Sequence, residues 1–177
     1  MQSRFFCFVL QLVVMKKGFI YMLAAAFVIA ADQITKHLVR AGMQPGDRIP
    51  VIGDWMSIFY VQNTGTAFSM FSGNRFVTVV LTTVLIAVCI VFIVRESRDG
   101  GFALPLLLSL VAAGGASNLI DRLSLGFVTD MISCGSFAVF NVADIFVTCG
   151  CVLTMIVVLK QYRDEAAAEK TGGGSDV

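Results

Sequence analysis

A chain of 177 residues that is 57% hydrophobic and 14% charged, with 13 basic against 12 acidic side chains, lies outside the composition of soluble domains. Its mean hydropathy is strongly positive, so a multi-span membrane protein is expected. Near-neutral charge leaves no basic patch for nucleic acid, and no phosphate loop occurs.

In chain order, residues 5–15 are apolar but too few to cross a bilayer, and Met15-Lys16-Lys17 after them resembles an alternative start. Residues 1–14 are therefore set apart as an extension of unknown role. A first span is expected at residues 19–40, apolar until Asp32. Residues 41–75 are not a span, because Pro45, Pro50 and several glycines break them. Within them, residues 55–60 and 61–70 read as short strands around Gln62-Asn63-Thr64-Gly65, a small interfacial sheet with Trp55 and Tyr60 at headgroup level. Uncharged runs at 76–94 and 100–120 give spans two and three. Residues 141–159, interrupted only by Asp144, give span four. The expected fold is thus an all-α membrane protein of four transmembrane helices with a small extracytoplasmic β-sheet. Its membrane domain covers 15–163, and 164–177, charged and then glycine-rich, is expected to be a disordered tail.

Basic residues fix the orientation. Lys16 and Lys17 precede span one, Arg95 and Arg98 follow span two, and Lys160 and Arg163 follow span four. These positions are assigned to the cytoplasm, with both termini inside. Every polar feature in or beside the spans then falls at the outer face. Asp32, Gln33 and Lys36 close span one, Asn118, Asp121 and Arg122 close span three, and Asn141 and Asp144 open span four. Spacings of three and four place each set on one helix face. Asp130 and Asp144 lie in the apolar stretches 126–130 and 140–144, where an ionisable group persists mainly to do chemistry or bind something polar.

Singly, each feature has a plainer reading. Asp32 with Lys36 can be an i,i+4 ion pair, Asp121 with Arg122 an interfacial pair, and Asn63-x-Gly65 a turn. Gly114-Gly115-Ala116-Ser117 reads as a small-residue packing seam. Their joint placement at one face is harder to account for in this way.

Together the motifs resemble lipoprotein signal peptidase, the signal peptidase II family of aspartic proteases in bacterial membranes. Asp32-Gln33-x-x-Lys36, Asn63-x-Gly65-x-Ala67-Phe68, Gly115-x-x-Asn118-x-x-Asp121-Arg122, Gly126-x-Val128-x-Asp130 and Phe140-Asn141-x-Ala143-Asp144 occur in the family's order. The resemblance implies that Asp130 and Asp144 are the catalytic dyad. It also implies that Asp32, Lys36, Asn63, Gly65, Asn118, Asp121, Arg122 and Asn141 hold the site or contact substrate. The implied substrate is a prolipoprotein whose cysteine carries a diacylglyceryl group, cut on the N-terminal side of that cysteine. The chain departs from the family pattern in a shorter segment at 131–139 and in Ser117, where glycine is usual.

Two close carboxylates suffice for hydrolysis without a cofactor, since one takes a proton from water while the other polarises the amide. No metal is expected, because the cysteines Cys7, Cys89, Cys134, Cys149 and Cys151 lack ligand spacing and the single His37 stands outside any triad. Partners are expected to be the lipidated substrate and membrane lipid, not nucleic acid, and the protein is expected to act as a monomer. A proton-coupled transporter would instead place a carboxylate near mid-span with access from both faces.

A reporter active only in the cytoplasm is expected to work when fused after Arg98 or Tyr162, and one active only outside when fused after Gly135. The reverse pattern at any of the three would overturn the four-span topology.

Overall fold

The computed structural model describes residues 2–65, 75–98, 101–135 and 138–172, those at 2–15 and 169–172 by backbone alone. In order these form α1 (Gln2–Gly42), β1 (Arg48–Ile52), β2 (Met56–Asn63), α2 (Arg75–Arg98), α3 (Ala103–Ser124), β3 (Val128–Cys134) and α4 (Val142–Gly172). Among the described residues four stretches are long and apolar enough to cross a membrane: Lys16–Gly42, Arg75–Arg98, Ala103–Ser124 and Val142–Ala168. The expected four spans are therefore present. α1 reaches back to Gln2 without a break, so the extension is helical and continuous with span one.

α3 is the central helix, and its sequence explains why. Gly114 and Gly115 carry no side chain, so neighbouring helices approach closely. A Cβ at Gly114 would lie 2.7 Å from the Ala143 carbonyl oxygen of α4, and one at Gly115 would lie 3.3 Å from Ile86 of α2. Gly150 of α4 answers with a site where a Cβ would come 2.6 Å from Val111. The expected seam is thus a real contact surface. α2 and α4 turn Leu81, Val84, Val91, Val152 and Met155 outward, as a lipid-facing helix should.

The three strands form one antiparallel sheet in the order β1-β2-β3. β2 pairs Ile58 with Ile132 and, after a register shift between Ile58 and Val61, Val61 with Asp130 and Asn63 with Val128. Beyond β3 the chain returns at once: Phe140 bridges Ile132, its carbonyl accepting the Met131 and Ile132 N–H groups at 3.0 and 2.7 Å. α4 begins two residues later. This short return brings Asp130 and Asp144 to one place.

Three expectations need correction. Residues 55–60 and 61–70 are not two strands; one strand, β2, runs through Met56–Asn63, flanked by β1 and by the sequence-distant β3, while 66–70 lie outside the described residues. Asp130 accordingly sits on a strand, β3. Tyr60 is 3% exposed, its hydroxyl accepting from Gln62 Nε2 at 3.1 Å, so of the two aromatics only Trp55, 63% exposed, is placed to meet headgroups. The tail expected to be disordered continues α4 as far as Gly172. Glu165-Ala166-Ala167-Ala168-Glu169-Lys170 is built of strong helix formers, and that local preference extends a helix already nucleated by the span.

Gly114→Ala is expected to lower the melting temperature by the equivalent of about 1–3 kcal/mol, since the clash is with backbone that cannot swing away. Gly18→Ala, where nothing lies within 4 Å, should leave it unchanged or slightly raised. Equal behaviour of the two variants in a thermal melt would contradict the seam.

Candidate active site

The first turn of α4 is organised around Asn141, which is fully buried. Its side-chain Oδ1 accepts the Asp144 N–H at 3.0 Å, while the Asp144 Oδ2 accepts the Asn141 N–H at 3.2 Å. This reciprocal arrangement is a capping box. The Asn141 Nδ2 is left free to donate to Asp130 Oδ1 at 2.7 Å and Asn118 Oδ1 at 3.1 Å. One residue thereby touches both carboxylates and binds the strand to the helix.

Each carboxylate has a second amide. Asn63 Nδ2 donates to Asp130 Oδ2 at 2.9 Å, and Asn118 Nδ2 donates to Asp144 Oδ1 at 2.8 Å. Asn63 also accepts the Gly65 N–H at 2.9 Å, an Asx turn, so it is at once a turn residue and a holder of Asp130. Ala67 and Phe68 of the same motif lie outside the described residues.

Beneath this layer is a buried charge cluster. The Lys36 ammonium, 0% exposed, lies 2.6 Å from Asp32 Oδ2 and 3.3 Å from Asp121 Oδ2, and donates to Asn118 Oδ1 at 2.7 Å. Asp32 Oδ1 accepts the Ala143 N–H of α4 at 2.8 Å, a helix N-terminus that favours negative charge. Asp121 Oδ2 accepts the Thr129 N–H of β3 at 3.0 Å. The two acids thus hold the two elements that carry Asp144 and Asp130.

Arg122 does not pair with Asp121 as its neighbour in sequence would suggest. Asp121 is taken by Lys36 and by Arg40, 3.8 Å away, and among the described residues Arg122 has no ion-pair partner. Its half-buried guanidinium lies in the field of Asp144, Asp130 and Asp121. His37 is exposed on α1.

Four residues join the site without having been assigned a role from sequence. Ser117 donates to Asp32 Oδ2 at 2.7 Å, and Gln33 Nε2 reaches Ser117 Oγ at 3.0 Å and Asp121 Oδ1 at 3.1 Å. Arg40 donates to Thr129 Oγ1 at 2.9 Å. The available signals were the four-residue step from Lys36 to Arg40 and the hydroxyl at 117 in an otherwise featureless small-residue run.

The Asp130 carboxyl is 3% exposed, and burial pushes it up to about 6. The Asn63 amide opposes that rise, the Asp144 charge adds to it, and the Asn141 amide and the Lys36 charge oppose it again. A carboxyl so placed exchanges a proton near neutral pH, and its neighbour's charge couples the two titrations.

A family model described as signal peptidase II matches residues 24–160. The lipoprotein signal peptidase of Shouchella clausii is 37% identical over 144 residues, covering 81% of this chain and 95% of that protein. That of Moorella thermoacetica is 36% identical over 133 residues, 75% of this chain and 88% of its own. That of Streptococcus pneumoniae is 35% identical over 149 residues, 83% and 97%. A bacterial membrane enzyme solved by the in meso method at 2.3 Å superposes with a TM-score of 0.76 at 30% identity, covering 81% of this chain and 90% of that one.

The raised Asp130 carboxyl has a consequence for stability. Its folded value of about 6 exceeds the ordinary carboxylate value of about 3.9, so between the two the folded state holds the extra proton and stability falls as pH rises. Above about pH 6 the whole penalty is present. Asp130→Asn removes it, and the variant's advantage in melting temperature should grow from pH 4.5 to pH 7, towards the equivalent of about 3 kcal/mol. A difference that is constant with pH would contradict the buried, proton-holding carboxyl.

Proposed function

The chain belongs to the signal peptidase II family, and we propose that it is a membrane aspartic endopeptidase in which Asp130 and Asp144 together cleave the signal peptide from diacylglyceryl-modified prolipoproteins. The observation that carries the assignment of the dyad is the double contact of Asn141, through its side-chain amide to Asp130 and its backbone N–H to Asp144. The unit doing this is residues 15–163, acting as a monomer in the bacterial cytoplasmic membrane. Both termini lie in the cytoplasm and the dyad at the outer face, where the lipidated cysteine is held by its acyl chains.

The reaction follows from the shared proton. Like charges at short range do not both ionise, so the pair holds one proton between two carboxyls. The ionised member takes a proton from water as the water oxygen attacks the peptide carbonyl carbon, and the protonated member donates to the carbonyl oxygen. When the tetrahedral intermediate collapses, the carbon–nitrogen bond breaks and a carboxyl proton passes to the leaving nitrogen. The products are the new carboxyl terminus of the signal peptide and a free α-amino group on the lipidated cysteine. As the carbonyl re-forms, the proton lent to its oxygen returns to the pair, which regains its one-proton state, and the second water proton is lost with ionisation of the product acid.

The supporting residues divide by what they touch. Asn63, Asn118 and Asn141 hold the carboxylate oxygens so that one orientation is favoured. Arg122, with no ion-pair partner among the described residues, is free to bind a substrate carbonyl or ester oxygen. Asp32, Lys36 and Asp121 act at a distance, by fixing α4 and β3.

Asp130→Asn and Asp144→Asn should each abolish cleavage of a lipidated precursor peptide while leaving a folded protein, and the double variant should be no worse than either, because residues acting as a unit are not additive. Alanine at Asn63, Asn118, Arg122 or Asn141 should give graded losses. Residual wild-type cleavage in either Asn variant removes that aspartate from the chemistry.

A further inference from the structure

On the reverse side of α3 from the dyad, α1 and α2 part and leave a groove of about 850 Å3. Its walls include Ala25 and Ile29 of α1 and Ile86 and Ile90 of α2, with Ala112 and Ala116 of α3 as its floor. At 100° per residue, positions 112 and 116 lie about 120–160° around α3 from Asn118. The groove therefore does not open on Asp144, and the reaction leaves it unused.

One end of the groove is different. Gly18, Ser97 and Arg98 line it, Lys16 and Lys17 stand directly before Gly18, and Arg95 lies one turn before Arg98. Arg98 is thus the basic residue that lines this mouth, with Lys16, Lys17 and Arg95 close in sequence to its lining residues, as are Glu96 and Asp99. The mouth is braced from within: the Tyr21 hydroxyl donates to the Gly101 carbonyl at 3.3 Å, and its ring lies 5.9 Å from that of Phe102.

Apolar walls alone select nothing in a membrane, because acyl chains are as apolar as leucine. A basic mouth does select, since cations between helices at the cytoplasmic face attract anionic headgroups. We propose that this groove is a binding site for one anionic phospholipid of the cytoplasmic leaflet, an acyl chain lying along Ala112 and Ala116 and the phosphate at Arg98. The leaflet rests on the orientation given above; the site itself does not rest on the peptidase reading. Small residues on the floor make room for the chain, and the lipid joins α1 to α2, which otherwise meet mainly through α3. The ligand would be resident rather than a substrate.

The test is native mass spectrometry of the full-length protein, released from nanodiscs that contain equal amounts of phosphatidylglycerol and phosphatidylcholine. Cleavage and melting temperature are measured on the same samples. The wild type should retain one phosphatidylglycerol in preference to phosphatidylcholine. Arg98→Gln should reduce that preference by about five-fold, the effect of one basic residue at a membrane surface. Ala112→Phe, which fills the floor, should lose the lipid, and Ala25→Leu on the opposite wall should weaken retention if the phenylalanine variant does not fold. Cleavage should survive in all folded variants. Equal retention of the two lipids, or retention unaffected by filling the groove, would overturn the proposal. So would a dimer that Ala112→Phe dissolves, since a second copy would then occupy the groove.

Discussion

The ammonium of Lys36 is the point on which the rest of the site depends. It is wholly removed from water, a costly position for a cation unless every proton is matched. Asp32, Asn118 and Asp121 supply three acceptors, and an ammonium has three protons to give. Each acceptor then reaches onward to a second partner. Asp32 takes the backbone of α4, Asp121 takes the backbone of β3, and Asn118 passes its own amide to Asp144. One charge on α1 thereby fixes where two other elements begin and how the dyad is held.

The dyad is placed by helix-end chemistry. Asp144 is the acidic member of a capping box, a role that most helices give to a purely structural residue. The start of α4 favours a negative charge there. Asp130 comes to the same place from a strand, where burial pushes its carboxyl up. The capping box holds the Asp144 carboxyl in a fixed orientation at the start of α4. Such preorganisation is what an amide bond, slow to hydrolyse, demands of its catalyst.

The four spans were legible in the sequence because a bilayer imposes length and polarity directly on the chain. The convergence of Asp32, Lys36, Asn118, Asn141 and Asp144 was legible too, since helical spacing settles which residues share a face. The sheet was not. β2 and β3 pair across more than sixty positions, and no local periodicity announces such a partner, so Asp130 read as a charge in an apolar stretch where it is a residue of a paired strand. That Asp121 and Arg122 do not pair follows from helix geometry. Adjacent residues on a helix point apart by about 100°, and Asp121 turns to Lys36 while Arg122 turns towards the dyad. The hydroxyl of Ser117, a departure from the family pattern, became meaningful only once Asp32 was seen beside it.

The central claim, that the buried Lys36 ammonium holds α1, α3, β3 and the start of α4 in one arrangement, is tested most directly by the thermal stability of Lys36→Met beside that of Lys36→Met/Asp32→Asn. Removing the cation alone strands buried carboxylates, and the account predicts a loss equivalent to about 3–5 kcal/mol. Removing its closest carboxylate as well should recover a substantial part of that loss. A single variant that melts within the equivalent of about 1 kcal/mol of the wild type would contradict the claim.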